Sequence, residues 1–308
     1  MTLQQLRYIL TIAETGSLNK AAEVLYVSQP SLTNSLRDLE SEVGFEIFHR
    51  GGRGVAPTGE GEDFLLYARQ VYHQYEAMME KYGGGESIKK KFCVSTQHYS
   101  FAVKAFVQLV QKYDTSKYEL AIRETKTLDV ISDVTNLKSE LGLLYLSDFN
   151  RKILQKMLRS GGLEFHPLTT CKAYVYLWKE HPLAGAKSLS LGELEEYPFI
   201  SFERGGNGSF YFAEDILSMN EYPRMIKVCD RATVLNLMVG LGGYTICSRI
   251  ICEELNGGDY VAVPLDTTDL EQSNEMEIGY IVKKDTILSK MANRYIEELT
   301  KYLSANAE

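Results

Sequence analysis

Residues 16–40 read GSLNKAAEVLYVSQPSLTNSLRDLE, and this stretch decides the fold of the N-terminal part of the chain. It holds two short runs with helical spacing. Each run follows a serine, Ser17 or Ser28, and serine is a preferred residue at the position before a helix. The second run has an apolar face made of Leu32, Leu36, Leu39 and Val43. Two short helices separated by a turn at residues 26–27 are typical of a helix-turn-helix.

The opposite face of the second helix is polar and carries Pro30, Asn34 and Arg37, with Ser31 and Thr33 at its flanks. Such side chains hydrogen-bond to base edges and phosphates in the major groove, although a solvated helix in any small bundle has a similar face. The next segment favours DNA binding, because residues 45–50 and 53–56 predict two strands joined by a hairpin turn. Arginines at the base and tip of such a wing suit phosphate or minor-groove contact.

A long helix is predicted from Thr58 to Tyr82. Its apolar positions recur every three and four residues for about three heptads, which favours pairing with a second copy of the chain. The predicted dimerisation residues are Leu65, Ala68, Tyr72, Tyr75 and Met79. A helix packed on its own domain has the same spacing and stays an alternative. Three glycines at 83–85 then predict a hinge.

Residues 1–82 closely resemble the LysR-type transcriptional regulators. The resemblance rests on residues 16–25, 28–33 and 39–40 and on the wing through Phe48, Arg50, Arg53 and Thr58. It implies a homodimer or homotetramer that binds double-stranded DNA at an interrupted palindrome. The positions that match the family's DNA contacts are Gln29, Pro30, Ser31, Thr33, Asn34, Arg37, Arg50 and Arg53. Asn34 stands where many members carry a basic residue, so base preference cannot be transferred to this chain.

Composition limits the other classes of protein. The 308 residues carry a net charge of −8, so any DNA contact must come from the placement of a few arginines. No apolar run reaches the ~18 residues of a membrane helix, and the N-terminus lacks a signal-peptide pattern, so we expect a cytoplasmic protein. Five widely spaced cysteines argue against a disulfide framework and suit a reducing compartment.

Strands and helices alternate from residue 89 onward, which predicts a mostly parallel α/β sheet. There are too many strands for one compact sheet, so two lobes are expected, and the resemblance implies a periplasmic-binding-protein-like sensor. The predicted domains are a winged helix-turn-helix (1–57), a linker helix with hinge (58–86) and an effector-binding domain (87–308). Within the last, lobe I comprises residues 87–164 and 268–308, and lobe II comprises residues 165–267.

Ligands of such sheets sit at the carboxyl ends of strands, beside helix N-termini. The candidate effector-binding residues at predicted strand ends are Ser95, Thr96, Gln97, His98, Thr125, Tyr145, Ser201, Phe202 and Thr233, and Arg231 lies nearby. Hydroxyl groups beside a helix N-terminus favour a small anion, often a carboxylate. Ordinary helix capping would explain each residue singly. No cofactor or metal is predicted.

The sequence argues against three other functions. Catalysis is disfavoured, because no nucleophile elbow, zinc-protease motif, P-loop or dinucleotide fingerprint is present. A solute-binding protein would normally be exported and would lack the helix-turn-helix. Redox sensing, as in peroxide-sensing family members, is disfavoured because residues 199–208 contain no cysteine, and Cys229 is the thiol that merits a test. We expect that a ligand between the lobes changes the spacing of two recognition helices.

Overall fold

The computed structural model describes residues 1–51, 54–82, 90–112, 118–204, 209–268 and 273–306. The chain divides into two compact units, Met1–Glu86 and Ser87–Glu308. The elements of the first unit are α1 (Leu3–Thr15), α2 (Leu18–Leu25), α3 (Gln29–Val43), β1 (Phe48–Gly51), β2 (Gly54–Pro57) and α4 (Gly59–Tyr82).

Local sequence starts and stops the helices of the first unit. The hydroxyls of Ser17 and Ser28 accept hydrogen bonds from backbone N–H groups in the first turns of α2 and α3. Gly16 and Gly44 end α1 and α3 in the left-handed conformation. The winged helix-turn-helix is therefore confirmed, and its core is formed by Ile9, Ile12, Leu32, Leu36, Leu39, Ile47 and Leu65.

The wing is shorter than the sequence indicates. β1 begins at Phe48 and not at residue 45, and it pairs antiparallel with β2. The reason lies in Glu40, whose carboxylate accepts hydrogen bonds from the backbone N–H groups of Ile47 (2.8 Å) and Phe48 (3.2 Å). Those donors are satisfied by a side chain of α3, so the preceding residues need no strand partner.

The second unit contains β3 (Lys90–Thr96), α5 (Ser100–Lys112), β4 (Tyr118–Glu124), α6 (Thr127–Thr135), β5 (Leu141–Leu146), α7 (Arg151–Ser160), β6 (Leu163–Lys172), β7 (Tyr174–Trp178), β8 (Phe199–Phe202), β9 (Met225–Val228), α8 (Arg231–Leu241), β10 (Thr245–Cys247), α9 (Glu253–Asn256), β11 (Tyr260–Pro264), β12 (Glu275–Lys283) and α10 (Lys290–Ala305). They form two lobes around separate sheets, as expected.

The sheets are mixed and not mostly parallel. Lobe I has the strand order β4-β3-β5-β12-β6, in which β3 is parallel to β4 and β5, and β12 is antiparallel to β5 and β6. Lobe II has a three-stranded antiparallel sheet, β10-β7-β11, beside the parallel pair β8-β9. The βαβ rhythm was a sound guide only where helices separate successive strands.

The first crossover between the lobes lies later than residue 165. β6 pairs with β12 along its whole length, up to Lys172 opposite Glu275, so it belongs to lobe I. The chain changes sheets at Ala173, a buried residue. The backbone N–H of Ala173 donates to the carbonyl of Asn274, and its own carbonyl accepts from the N–H of Leu265, so the two crossovers lie side by side.

Candidate functional site

The outward face of α3 holds most of the predicted DNA contacts. Gln29, Pro30, Ser31, Asn34 and Arg37 are all exposed, which α3 permits because its leucines occupy the opposite side. The side chain of Arg50 and the whole of Arg53 lie outside the described residues.

Thr33 differs from its predicted neighbours. It is buried, and its hydroxyl accepts a hydrogen bond of 2.9 Å from the side-chain amide of Gln29. The Thr33 hydroxyl therefore already has a partner within α3, and its contact with DNA stays a prediction. The spacing along the helix missed this, because position 33 lies at the edge of the apolar face.

The wing is fixed to the helices by backbone contacts. The N–H of Val55 donates to the carbonyl of Gly16 (2.9 Å), and the Thr58 hydroxyl donates to the carbonyl of Glu46 (2.7 Å). Gly61 approaches the carbonyl of Ile47 so closely that a Cβ atom would lie 2.0 Å from its oxygen. The base of the wing is therefore held rigidly against the start of α4.

The predicted dimerisation seam on α4 is wrong in part. Leu65 and Ala68 are buried in the core of their own unit, and Tyr72 packs against the same core. Among the described side chains of α4, the large apolar ones that are exposed are instead Tyr67 (67%), Val71 (50%) and Met78 (52%). At about 100° per residue they form a stripe roughly a third of a turn away from the buried seam. At Leu65, Ala68 and Tyr72 the heptad pattern therefore reflects packing within the first unit, whereas Tyr75 and Met79 are partly exposed.

The second unit contains a cleft of about 830 Å³, a volume that includes the solvent at its open mouth. Lobe I contributes the residues around the start of α5, and lobe II contributes β8, α8, β10 and the loops beside them. The walls are mainly apolar, with Tyr99, Tyr176, Phe202, Ile216, Val234, Leu235, Ile246, Ile250, Ile251 and Met276. An apolar cavity with a few convergent polar groups is the usual form of a small-molecule site.

An ion pair crosses the cleft. His98, from lobe I, lies 2.9 Å through Nδ1 from the Glu214 carboxylate of lobe II, and both side chains are at least nine-tenths buried. The His98 ring also stacks on Phe202, with centroids 4.0 Å apart. Burial lowers the pKa of His98, but the hydrogen bond and charge of Glu214, with help from Glu124, outweigh it and raise the pKa overall.

A second ion pair joins Arg231, the first residue of α8, to Glu124, the last residue of β4, at 2.8 Å between Nε and Oε1. Neither of these two atoms makes a hydrogen bond, although both are buried. The two atoms are close together, but the Nε–H bond does not point at the carboxylate oxygen, so they form no hydrogen bond. The pair is therefore held by charge more than by hydrogen-bond geometry, and Arg231 Nε remains available to an acceptor.

Asp215 is the most perturbed acid of the cleft. Its side chain is buried and accepts a hydrogen bond of 2.5 Å from the Ser201 hydroxyl. Burial raises the pKa of Asp215 to about 7, with a further rise from Glu214, and Ser201, Arg204 and His98 offset only part of this. A carboxyl group therefore titrates near neutral pH at the wall of the cleft.

Of the nine predicted effector-binding residues, only His98 and Phe202 line the cleft. The others make bonds within the protein. Ser95 donates to Asp133, Gln97 donates to Thr127, Thr125 donates to Asp129, Tyr145 donates to the carbonyl of Ala213, Ser201 donates to Asp215, and Thr233 donates to Asp230. Thr96 is fully buried and donates to a neighbouring carbonyl. For these, capping and internal support explain the polar side chains.

Sequence reasoning missed several groups of the cleft. Glu214 and Asp215 follow a short helical turn that has no strand-end signal, and Thr245 and Ser248 belong to β10 and the residue after it. For Thr245 and Ser248 the sequence offered one signal, which is that their hydroxyl groups lie in or at the end of a predicted strand, Tyr244–Ser248.

Cys229 is exposed at the end of β9. A hydrogen bond to Glu203 raises the pKa of its thiol, and burial and the charge of Glu203 act in the same direction. A raised pKa reduces the fraction of thiolate, which is the form that peroxide oxidises. Among the described helices, none has the length and apolarity to cross a bilayer.

Comparison with known proteins agrees with this architecture. Residues 3–62 match the model of the "Bacterial regulatory helix-turn-helix protein, lysR family", and residues 93–304 match that of the "LysR substrate binding domain". The chain is 24% identical to the transcriptional regulator SsuR of Burkholderia cenocepacia, over 99% of this chain and 96% of SsuR. It is 27% identical to the Hca operon transcriptional activator HcaR of Escherichia coli K12, over 86% of this chain and 87% of HcaR.

Two solved structures have the same fold along the whole chain. A full-length OxyR variant from Pseudomonas aeruginosa has a TM-score of 0.68 at 18% identity, covering 100% of this chain and 96% of that one. Full-length CbnR, solved with its target DNA, has a TM-score of 0.57 at 18% identity, covering 98% and 100%. At such identity these likenesses establish the fold alone.

Proposed function

The chain belongs to the LysR family, and from this premise we propose which of its residues bind DNA, which cavity binds the effector and which helix face joins two copies. The protein is a transcriptional regulator and not an enzyme. It binds double-stranded DNA and a small-molecule effector, and it forms oligomers. We place it in the cytoplasm, because its first domain acts on DNA.

The DNA surface that we propose is the exposed face of α3, and its exposure is the observation that carries the proposal. Asn34 and Arg37 lie one turn apart at the centre of this face, with Gln29, Pro30 and Ser31 at the helix start. The amides of Asn and Gln suit adenine, and arginine suits guanine or phosphate. Arg50 and Arg53 of the wing are proposed as backbone contacts. Two copies related by a two-fold axis would bind an interrupted palindrome.

Fluorescence anisotropy with a duplex from upstream of the protein's own gene tests this surface. We expect Asn34→Ala to change base preference, and Arg53→Ala to weaken binding to every sequence while lowering the salt slope by about 0.9. Arg7→Ala, on the exposed side of α1, is the control and should change neither property. Unchanged relative affinities for duplexes of different sequence in Asn34→Ala, together with unchanged affinity and salt slope in Arg53→Ala, would refute the proposed surface.

The stripe of Tyr67, Val71 and Met78 is the face of α4 that we propose for dimerisation, in place of Leu65 and Ala68. Large apolar side chains that are half or more exposed along one helix face are suited to a second copy of the same helix. Val71→Asp should shift the oligomer toward monomer in sedimentation. Glu62→Lys, an exposed change on a different face of α4, should not.

The cleft between the lobes is the effector site that we propose. His98 and Phe202 face each other across it from different lobes, so an occupant of the cleft changes contacts that join the lobes. We propose that this changes the separation of the two α3 helices on DNA through residues 83–85, which lie outside the described residues. Identical footprints with and without a bound effector would contradict this mechanism.

A further inference from the structure

The effector class can be inferred from which polar groups of the cleft already have partners. We propose that the cleft binds an uncharged, largely apolar molecule that carries one hydroxyl, carbonyl or amide group, and that Thr245 and Ser248 bind this group. The inference rests on the effector site proposed above. It replaces the expectation of a carboxylate.

Each cation that lines the cleft in the described part of the chain already has a carboxylate of the protein beside it. His98 lies 2.9 Å from Glu214, and Arg231 lies 2.8 Å from Glu124. A carboxylate ligand would therefore have to enter next to Glu214 or Glu124, and the unbonded Nε of Arg231 would meet it with a charge that Glu124 already offsets. Asp215, whose carboxyl also lines the cleft, adds to the repulsion when it ionises. Like charges in a site of low dielectric repel strongly, so the cleft disfavours an anion.

A cationic ligand is disfavoured by the same pairs. Glu214 and Glu124 each already have a basic side chain beside them, His98 and Arg231, and the Asp215 carboxyl accepts a hydrogen bond from the Ser201 hydroxyl. An ammonium group that enters the cleft must leave bulk water and meet apolar walls. Burying an ion without a dedicated counter-ion is costly, whereas burying an apolar body is favourable.

Two hydroxyl groups of the cleft have no partner among the described residues. Thr245 (6% exposed) and Ser248 (8%) line the cavity, and neither side chain makes a hydrogen bond to the described part of the chain. Neither hydroxyl oxygen is among the fully buried, unbonded side-chain atoms of the described residues, so both are open to the cavity and can bond an occupant that displaces water there. A hydroxyl can donate and accept, which suits a neutral alcohol, carbonyl or amide. Val234 and Ile246 supply apolar wall for the rest of the ligand.

A matched set of probes on one skeleton tests the class: 3-phenylpropan-1-ol, 3-phenylpropanoate and 3-phenylpropylamine. Their affinities for the full-length protein are measured by calorimetry at millimolar concentration and neutral pH. We expect the alcohol to bind at least tenfold more tightly than either charged compound, which corresponds to about 1.4 kcal/mol. Thr245→Val and Ser248→Ala should each weaken the alcohol severalfold. Thr300→Val, on α10 outside the cleft, should leave its affinity unchanged.

Tighter binding of the carboxylate or the amine that is lost in Thr245→Val would overturn the class and leave the cleft as the effector site. Alcohol binding that neither cleft variant weakens would place the ligand elsewhere and overturn the site as well. Binding of none of the three compounds would overturn the inference, since an apolar cavity with free hydroxyls must accept a simple alcohol. DNA binding, followed separately by anisotropy, tells any of these results apart from failure of the regulator function itself.

Discussion

Asp215→Asn is expected to stabilise the second unit most at alkaline pH and progressively less as the pH falls toward 4. Burial raises the pKa of this carboxyl from 3.8 to about 7, so the folded state holds a proton that the unfolded state releases. Stability must therefore fall as the pH rises from about 4 to 7, and then level off. Each pH unit of this interval contributes 1.36 kcal/mol, so the ionised Asp215 costs the folded state about 4 kcal/mol at most. An asparagine keeps an oxygen for the Ser201 hydroxyl and cannot ionise.

The assay is urea unfolding between pH 5 and pH 8, followed by the fluorescence of Trp178. This residue is the single tryptophan of the chain and lies in β7, so it reports on the second unit without interference from the first. We expect the variant to be more stable than the wild type by roughly 2–4 kcal/mol at pH 8. Asp133→Asn is the matched control, because Asp133 also accepts a serine hydroxyl, from Ser95, and lies near Lys138. It should bring no gain. Parallel stability curves for the wild type and Asp215→Asn would refute the reasoning.

Three further predictions concern single contacts. Glu214→Gln should destabilise the second unit at pH 6 but hardly at pH 9. Because the pKa of His98 is raised in the folded protein, the stabilisation by the His98–Glu214 pair is fully present below about pH 6.5 and is lost as the pH rises through that raised pKa. Glu164→Gln, beside the partly exposed His166, should have no such effect in the same urea assay. Tyr26→Asn should raise stability by roughly 0.5–1 kcal/mol in calorimetry, because Tyr26 has φ of 55° and is 96% exposed, so no packing is lost; a lower melting temperature would contradict this. Gly61→Ala should destabilise the first unit by more than about 2 kcal/mol, since its Cβ would meet the Ile47 carbonyl, whereas Gly59→Ala, with open space around it, should be neutral in thermal unfolding.

The sequence predicts the first unit well because its signals are local. The helix starts and ends depend on Ser17, Ser28 and the glycines after the helices, which act on the backbone within a few residues. The apolar spacing of α3 is compatible with only one buried face. The face of α4 was harder to assign. Its heptad spacing shows that one side is buried but cannot show whether α1 or a second copy covers it, and Leu65 turned out to face α1.

The effector cleft could be located only roughly. The rule that ligands lie at strand ends found His98, but neighbouring positions such as Ser95 and Gln97 face the interior of lobe I and are consumed by Asp133 and Thr127. Thr245 comes from lobe II, about 150 residues after His98, and no local pattern connects the two. The whole hydrogen-bond network decides which hydroxyl groups remain without a partner. That network joins residues distant in the sequence, so local sequence patterns do not predict it.

The side-by-side crossovers at Ala173 restrict how the two lobes can move. Because the backbone of Ala173 is hydrogen-bonded to Leu265 and Asn274, at the two described ends of the second crossover, we expect the lobes to rotate about an axis near Ala173. We therefore expect an effector to change mainly the opening angle between the lobes about this axis. A larger side chain in place of the buried Ala173 should change the angle between the lobes in the absence of effector without contacting the cleft. It should therefore alter the response to every effector in the same direction.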